Sequence, residues 1–353
     1  MSFYAYNKTS EGYFLECFGL SFEDFQIGQH FSHRPGMTVS QQDNAQEALI
    51  SMNAAMIHYD HQYSDKTAWK KPLVVSTITL QHMIGMSSKT FAKKKRIQKF
   101  ESISMTAPVF GNDTLYAESK ILALQDNQND ETGLITVQCI ARNQNDVVVA
   151  KVIYQALIWK RFKGPSLTPP HIGAIQPAQE LRFFAFKSKS EHHWVEQTGL
   201  FFEDFNANET FIHWPCKTFI AFETVNQALK SMEHHPQFHD TSWLSTQGEE
   251  KFAIPQTWLL GAGTALTTRT FGRVVANLGW HDVEFHTDVD LGDTVRAQST
   301  VVEKRESKSR PNEGILTVNT SIYNQHQVKV ISYIRNLLVY KKTAQTPYNL
   351  AGY

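Results

Sequence analysis

The chain has 353 residues, 41% of them hydrophobic and 19% charged, which predicts two globular domains of ordinary size and excludes a disordered or fibrous protein. Basic and acidic residues are equal at 34 each, so no net field attracts nucleic acid or an anionic membrane, and neither is expected as a partner. No basic, apolar leader and no apolar run of bilayer length occurs, so we expect a cytoplasmic protein. Three cysteines without a C-x-x-C pair predict free, buried thiols.

Two helices are the first predicted elements. The first begins at Ser40, because Asp43 three residues later completes a capping-box pattern, and it ends near residue 51. The second spans Leu73 to Phe91, because its apolar residues suit a mostly buried helix better than an alternating strand. We therefore expect the second helix to be the central helix of its domain.

Four strands are predicted after the central helix, from their content of Val, Ile, Tyr and Trp. They are Phe100–Val109, Thr114–Gln125, Leu134–Arg142 and Val147–Trp159. Because no helix separates them, they predict an antiparallel sheet wrapped around the central helix. The predicted class is an α+β layered domain, and a doubly wound parallel sheet is excluded.

The same arrangement occurs twice in the chain. Gly19–Phe25 (GLSFEDF) recurs as Gly199–Phe205 (GLFFEDF), an offset of 199 − 19 = 180 residues. One duplicated domain explains the match and predicts a pseudo-dimer within one chain, which is a monomer or associates further. The same offset, without a gap, aligns Phe31 with Phe211, His33 with His213, Pro35 with Pro215, Ala48 with Ala228, Asp60 with Asp240, Thr90 with Thr270 and Asp113 with Asp293.

A linker is predicted at residues 164–180, where Gly164-Pro165 and Pro169-Pro170 interrupt helices and strands. The predicted N-terminal domain is then residues 1–163, and the predicted C-terminal domain is residues 181–353.

The densest polar cluster beside the predicted core is Met52–Asp60, between the two helices. His58 has a side chain that can accept and return a proton near neutral pH, and the amide of Asn53 or the carboxylate of Asp60 can orient a water molecule for it. A single loop histidine is more often structural, however, and Asp60 fits a loop-capping role equally well. The spacing alone leaves both interpretations open.

This segment resembles the motif G-D-x-N-P-[LI]-H-x-D of the MaoC-like dehydratases and R-specific enoyl-CoA hydratases, with His58 and Asp60 in the final H-x-D. The resemblance covers both halves of the chain. It is closest to the tandem mesaconyl-CoA (2-methylfumaryl-CoA) hydratases, which have Asn followed five residues later by His, as at Asn53 and His58. Similar stretches elsewhere are Phe22–Phe25 with Gly28, Lys71–Ser76, Ala276–Trp280, Gly292–Thr294 and Arg305–Asn312.

The resemblance implies a tandem hot-dog fold and a lyase. Such an enzyme adds or removes water across the α,β double bond of a short, possibly branched enoyl-CoA such as mesaconyl-CoA. The CoA thioester is the substrate, and no cofactor is expected. Enoyl-CoA hydratases of the family have an aspartate where this chain has Asn53. Because an amide cannot take a proton, His58 is the expected main general acid/base, with Asn53 and Asp60 beside it.

Two further contacts with an acyl-CoA are implied. The family's oxyanion position falls on Val75, Ser76 and Thr77, where N–H groups at the start of a buried helix suit a negatively charged thioester oxygen. Ser76 fits a purely structural helix N-terminus equally well. Basic residues that are expected to meet the CoA phosphates, and that fit a solvated surface as well, are Lys94, Lys95, Arg96, Arg305 and Arg310.

The second copy has Glu233 at the position of Asn53 and Phe238 at the position of His58. The resemblance to tandem hydratases implies that this copy widens the binding cleft while the first copy carries the active site. A metal site is not predicted, because the spacing of the nearby polar residues matches no standard site. Those residues are His234, His235, His239 and Asp240.

Two other functions remain open from the sequence. A hot-dog thioesterase would release the free CoA thiol from a saturated acyl-CoA. An inactive acyl-CoA-binding protein would bind the thioester without turnover, which Asn53 and Phe238 would permit.

Overall fold

The computed structural model describes residues 3–17, 19–126, 131–165, 172–343 and 345–351. Within these ranges, no helix is both long enough and apolar enough to cross a membrane. In chain order the strands are β1 (Tyr6–Thr9), β2 (Phe14–Glu16), β3 (His30–Ser32), β4 (Met37–Thr38), β5 (Lys94–Met105), β6 (Thr114–Asp126), β7 (Thr132–Arg142), β8 (Val148–Trp159), β9 (Ile175–Pro177), β10 (Phe186–Ser190), β11 (His193–Glu196), β12 (Thr210–Ile212), β13 (Lys217–Thr218), β14 (Val274–Phe285), β15 (Thr294–Glu306), β16 (Glu313–Tyr323) and β17 (Lys329–Tyr340). The α-helices are α1 (Gln41–Ile50), α2 (His61–Ser64), α3 (Ser76–Met86), α4 (Ala221–Lys230), α5 (Thr241–Gln247), α6 (Gln256–Leu266), α7 (Thr268–Phe271) and α8 (Pro347–Leu350).

The first compact unit contains residues 19–165 together with residues 185–197. Its sheet has the strand order β10-β11-β3-β6-β7-β8-β5, and β4 pairs with β6. The helix α3 packs on β6 and β7, where the Cys139 thiol lies 3.8 Å from the carbonyl oxygen of Met83. Both side chains are completely buried, and burial raises the pKa of the Cys139 thiol to about 12. The core of this unit therefore lies between α3 and one face of the sheet.

The second compact unit contains residues 3–17, 172–184 and 198–351. Its sheet has the order β14-β17-β16-β15-β12-β2-β1-β9, and β13 pairs with β15. The helix α6 packs on β15 and approaches β16 closely at Gly263, where an added Cβ would lie 2.9 Å from Ile322 Cγ1. Glycine at 263 is therefore required for the helix to pack this closely against the sheet.

Each unit is a mostly antiparallel sheet wrapped around one central helix, which is the hot-dog arrangement. The predicted tandem hot-dog of the α+β class is confirmed. All three cysteines lie among the described residues and form no disulfide bond, as predicted; Cys139 is buried as expected, whereas Cys17 is half-buried and Cys216 is exposed.

The units differ from the contiguous division into residues 1–163 and 181–353. Strands β1 and β2, at the start of the chain, belong to the second unit, where β2 runs parallel to β12. Strands β10 and β11, at the start of the second copy, belong to the first unit, where β11 runs parallel to β3. Each exchanged strand covers a sheet edge that would otherwise present unpaired backbone groups.

The exchanged strand β11 brings a buried carboxylate to the first unit. Glu196 Oε1 lies 3.0 Å from His33 Nδ1, and both side chains are completely buried. The other ring nitrogen of His33 lies 2.8 Å from Ser119 Oγ, and the backbone N–H of Arg34 donates to Glu196 Oε2 at 3.2 Å. The Thr90 hydroxyl also donates to this carboxylate. A buried carboxylate needs hydrogen-bond partners in place of water, and His33, Arg34 and Thr90 supply them for Glu196.

The exchanged strand β2 forms the same network in the second unit. Glu16 Oε1 lies 2.8 Å from the buried His213 Nδ1, whose other nitrogen is 2.9 Å from Ser299 Oγ. The N–H of Trp214 donates to Glu16 Oε2 at 3.1 Å, and the Thr270 hydroxyl donates to the same carboxylate. Glu16 and Glu196 are also 180 residues apart, so the repeat extends further toward the N-terminus than Gly19.

Most of the predicted elements are confirmed, with displaced ends. The first helix begins as predicted, with the N–H of Asp43 donating to Ser40 Oγ at 3.0 Å. The central helix starts at Ser76 rather than Leu73, because the N–H groups of Leu73 and Val74 donate to the carbonyls of Ile57 and Val109 instead, at 3.1 and 2.8 Å. It ends at Met86, before a short 3₁₀ turn.

The later strands agree with the prediction to within two residues, except β5. This strand begins at Lys94 and ends at Met105, whereas the sequence predicted Phe100 to Val109. It lies at the edge of its sheet and, among the described strands, pairs only with β8, so most of its side chains are exposed, Lys94 and Ile97 are half-buried, and its polar first half carries no apolar pattern. In the predicted linker, β9 forms at 175–177 and pairs with β1, while residues 166–171 lie outside the described residues.

Candidate active site

The candidate site lies in the loop between α1 and the central helix α3. A 3₁₀ turn spans Met56–His58, and the short helix α2 follows it. His58, Asn53 and Asp60 are all half-buried in this loop. A half-buried side chain is held by the protein and can still be reached by a ligand.

The imidazole of His58 is fixed through one of its two nitrogens. Nδ1 lies 2.8 Å from the carbonyl oxygen of Leu73, which can only accept a hydrogen bond. This assigns the proton of the neutral ring to Nδ1 and leaves Nε2 as the nitrogen with a free lone pair. Among the described residues, none forms a hydrogen bond with Nε2. His58 therefore presents the basic nitrogen that a general acid/base requires.

Asn53 lies at the start of the same loop. Its backbone N–H donates to Ala48 O at 2.8 Å, and its side-chain Oδ1 accepts the N–H of Ala55 at 2.9 Å. The side-chain NH2 group has no protein partner in the described part of the chain, so the amide keeps two donors for a ligand or a water molecule. The predicted role of Asn53 in orienting a water molecule stays a prediction.

Asp60 has a structural contact. Its carboxylate accepts the N–H of Tyr63 at 2.9 Å and forms the N-cap of α2. This is the loop-capping interpretation that the sequence left open. Its predicted assistance to His58 stays a prediction.

The predicted oxyanion donors at the start of α3 differ in their contacts. Val75 is buried, and its N–H donates to Asn44 Oδ1 at 2.8 Å, so this N–H is not available to a thioester oxygen. Ser76 and Thr77 are exposed at the first two positions of the helix, and within the described part of the chain no side chain caps this end. Of the three predicted donors, only these two remain, at the positive end of the helix dipole.

The predicted phosphate-binding residues lie in three different settings. Lys94, Lys95 and Arg96 form the start of β5 rather than a loop, and the Lys95 ammonium lies 4.5 Å from the centre of the Trp159 ring. Burial lowers the pKa of Lys94. Arg305 is exposed near the end of β15, and Arg310 forms an ion pair with Glu313 at 2.8 Å. Their contact with CoA stays a prediction.

The corresponding loop of the second copy has different chemistry. Phe238 at the position of His58 is 3% exposed, and Glu233 is exposed. Asp240 caps α5 as Asp60 caps α2, accepting the N–H groups of Ser242 and Trp243 at 2.9 and 3.1 Å. The loop keeps its cap and has an apolar ring in place of the base.

Sequence reasoning missed Asn44, whose amide contacts the His58 loop and the start of α3. A signal was present: four residues apart on α1, Asn44 and Ala48 are both completely buried, so a polar amide occupies the inward face of the helix. This pattern could have indicated a buried amide with specific partners.

The two hot-dog domains, and a histidine in the loop before the first central helix, are features that the resemblance to the MaoC-like dehydratases implies. Comparison with known families agrees: residues 24–143 match the family model described as MaoC like domain, and residues 183–348 match the model described as Mesaconyl-CoA hydratase. The resemblance recognised from the sequence is confirmed: the first half of the chain matches the MaoC-like model, and the second half matches the mesaconyl-CoA hydratase model.

Two curated relatives are similar to this chain. The beta-methylmalyl-CoA dehydratase of Chloroflexus aurantiacus is 19% identical over 319 residues, covering 89% of this chain and 88% of the relative. The mesaconyl-CoA hydratase of Haloarcula hispanica is 26% identical over 161 residues, covering 45% of each chain.

Solved structures are similar as well. A Mycobacterium tuberculosis protein described as having a double hot-dog fold is 18% identical with a TM-score of 0.39, covering 91% of this chain and 99% of that one. A MaoC-like dehydratase from Rhodospirillum rubrum is 17% identical with a TM-score of 0.37, covering 40% of this chain and 99% of that one.

Proposed function

We propose that the chain is a hydro-lyase that adds water to, or removes it from, the α,β double bond of a short, methyl-branched enoyl-CoA such as mesaconyl-CoA. The observation that carries this proposal is the hydrogen bond from His58 Nδ1 to Leu73 O, which leaves Nε2 unprotonated in the neutral ring. The class of reaction agrees with the names of the matching family model and of both relatives. Those names also support the branched acyl group.

The proposed reaction uses three groups, which are the imidazole of His58, the amide of Asn53 and the N–H groups at the start of α3. A water molecule donates its proton to His58 Nε2 as its hydroxyl adds to Cβ of the thioester. The imidazolium then returns a proton to Cα, so that one water is added per double bond and the histidine is regenerated. The NH2 of Asn53 orients the water or the thioester.

Negative charge develops on the thioester oxygen during this addition. The N–H groups of Ser76 and Thr77, at the first turn of α3, are suited to stabilise it. The second copy contributes no general acid/base in this mechanism, because Phe238 cannot take a proton.

The test is a panel of purified acyl-CoA esters, including mesaconyl-CoA and unbranched enoyl-CoA, assayed by the loss of the ultraviolet absorbance of the conjugated thioester. We expect turnover by the native chain and a loss of about 10²- to 10⁴-fold in His58→Ala, which is the usual contribution of a general acid/base. His239→Ala is the matched control, since it removes a half-buried histidine from the corresponding loop of the second copy and should keep the native rate.

Three results would contradict the proposal. An undiminished rate in His58→Ala would exclude the assigned base. Release of free thiol from saturated acyl-CoA, detected with a thiol reagent, would indicate a thioesterase instead. Acyl-CoA binding without turnover of any ester in the panel would indicate a binding protein.

A further inference from the structure

We propose that Asn44, with Gln41, is a positioning residue that holds His58 and the start of α3 in one fixed arrangement. This inference rests on the proposed function, because it assigns these residues a role in the same site. Neither residue belongs to the motif that carries the family resemblance.

The amide of Asn44 is completely buried and binds three backbone groups from two segments. Its NH2 group lies 3.0 Å from the carbonyl oxygen of His58 and 3.1 Å from that of Leu73. Its Oδ1 accepts the N–H of Val75 at 2.8 Å. A single side chain thus joins the backbone of the general acid/base to the residue that precedes the first turn of the central helix.

We call these contacts of Asn44, together with those of Gln41, the clamp. The carbonyl of Leu73 links the clamp to the imidazole of His58. It accepts both the amide of Asn44 and Nδ1 of His58, at 3.1 and 2.8 Å. The clamp therefore holds the acceptor that decides which imidazole nitrogen carries the proton. Gln41 adds a second contact, because its Nε2 donates to the His58 carbonyl at 2.8 Å.

The second copy lacks every part of the clamp. Thr224 replaces Asn44, and its buried hydroxyl has no hydrogen-bond partner in the described part of the chain. Ala221 replaces Gln41, and Pro255 replaces Val75, so the backbone N–H that Asn44 accepts does not exist there. The second copy therefore lacks both amides, as well as the histidine, which Phe238 replaces.

Part of the loop backbone is nevertheless hydrogen-bonded in the same way in both copies. Three hydrogen bonds that shape it recur with nearly equal lengths. They are Asn53 N to Ala48 O (2.8 Å) and Glu233 N to Ala228 O (2.9 Å), Asp60 N to Met56 O and Asp240 N to Pro236 O (both 2.8 Å), and Leu73 N to Ile57 O and Ala253 N to Gln237 O (both 3.1 Å). The loop therefore folds without the clamp, and folding alone does not explain why the first copy buries an amide there. Positioning of His58 does explain it.

The test uses the substitution Asn44→Thr, which introduces the residue of the second copy. We expect kcat to fall about 100-fold, the scale expected when reacting groups are misplaced by about 1 Å, with KM close to the native value. Gln41→Ala is the second variant. It also introduces the residue of the second copy, at a half-buried position that accepts Ala in a helix, and should lower kcat by a smaller factor. Thr224→Val is the matched control and should keep the native kcat.

A second readout needs no substrate. Nitrogen-15 NMR of the histidine-labelled protein should show the neutral ring of His58 protonated at Nδ1 in the native chain, and a mixture of the two tautomers in Asn44→Thr. Native tautomer and native kcat in both Asn44→Thr and Gln41→Ala would overturn the positioning role while leaving the hydratase proposal intact. If the native chain hydrates no enoyl-CoA, the proposed function fails, and an unchanged tautomer in the variants would then overturn the positioning role separately.

Should Asn44→Thr fail to fold, as circular dichroism would show, the Gln41→Ala variant decides the question by the same two measurements. A lowered kcat with a changed tautomer ratio supports the role. An unchanged kcat with the native tautomer overturns it.

Discussion

Each copy of the domain has two places where a polar network could form, and the two copies agree at only one of them. A buried histidine–glutamate pair occurs twice with the same kinds of partners, as His33 with Glu196 and as His213 with Glu16. The network around His58 occurs once, because its amides and its imidazole are replaced in the second copy. We infer that the histidine–glutamate pair belongs to the fold of each unit, whereas the loop network belongs to the function that we propose for the first copy alone.

The largest expected effect comes from restoring a histidine to the second copy. We expect Phe238→His, in a chain that also carries His58→Ala, to leave turnover about 10²- to 10⁴-fold below native. A histidine at 238 would find no Asn44 equivalent, and Pro255 offers no N–H to fix the start of α6. The measurement is the enoyl-CoA hydration rate of the double variant beside that of His58→Ala alone.

Circular dichroism and urea unfolding must show that this double variant is folded, since Phe238 is buried. A return to the native rate would mean that the loop position alone makes a histidine competent, and the functional distinction between the copies would then depend on one residue. The sharper version adds Ala221→Gln, Thr224→Asn and Pro255→Val to the double variant, and a rise in rate only with these additions would support the clamp.

The next effect concerns the network that both copies share. Glu196→Gln should lower the free energy of unfolding at neutral pH by about 1–3 kcal/mol, because the new NH2 group faces the Arg34 N–H or the His33 nitrogen as a second donor. Glu16→Gln should have an effect of similar size, since the second unit has the same contacts. Urea unfolding of the two variants measures both values. A normal stability in either variant would contradict the inference that the pair belongs to the fold.

The free energy of unfolding at acidic pH gives a second test of the histidine–glutamate pair in the first unit. Burial acts to raise the pKa of Glu196, but His33 and the hydrogen bonds to the carboxylate outweigh it and hold that pKa below its usual value. A lowered folded pKa contributes stability above the unfolded value of about 4.3, and this contribution is lost as pH falls through the folded pKa. Native protein should therefore lose stability on acidification below about pH 4.3 more steeply than Glu196→Gln.

The sequence predicted the duplicated domain, the α+β class and most of the strands, because the repeat and the apolar alternation are local properties. It could not predict the exchange of β2 and β11. An alignment of two copies matches their strands equally well whether each strand pairs within its own copy or with the other. The start of β5 was missed for a related reason, since an edge strand with exposed faces needs no apolar pattern.

The candidate site was predictable in part. His58 and Asn53 were found from their spacing and resemblance, and they lie in one loop as expected. Val75 was assigned an oxyanion role that its contact with Asn44 rules out. Residue types alone could not reveal this, because the partner of a backbone N–H depends on how α1 packs against the loop.

The smallest expected effect concerns Asp60. It distinguishes a carboxylate that only caps a helix from one that takes part in the reaction. Asp60 and Asp240 both cap the short helix that follows their loop, and Asp60→Ala and Asp240→Ala should each lower the free energy of unfolding by about 1 kcal/mol. If Asp60 only caps α2, its alanine variant should lose no more turnover than the Asp240 variant does, and Asp60→Asn, which can still cap, should behave as native protein. A selective loss of turnover in Asp60→Ala at equal stability would instead place this carboxylate beside His58 in the reaction. The two copies would then differ in function at a position where both have an aspartate.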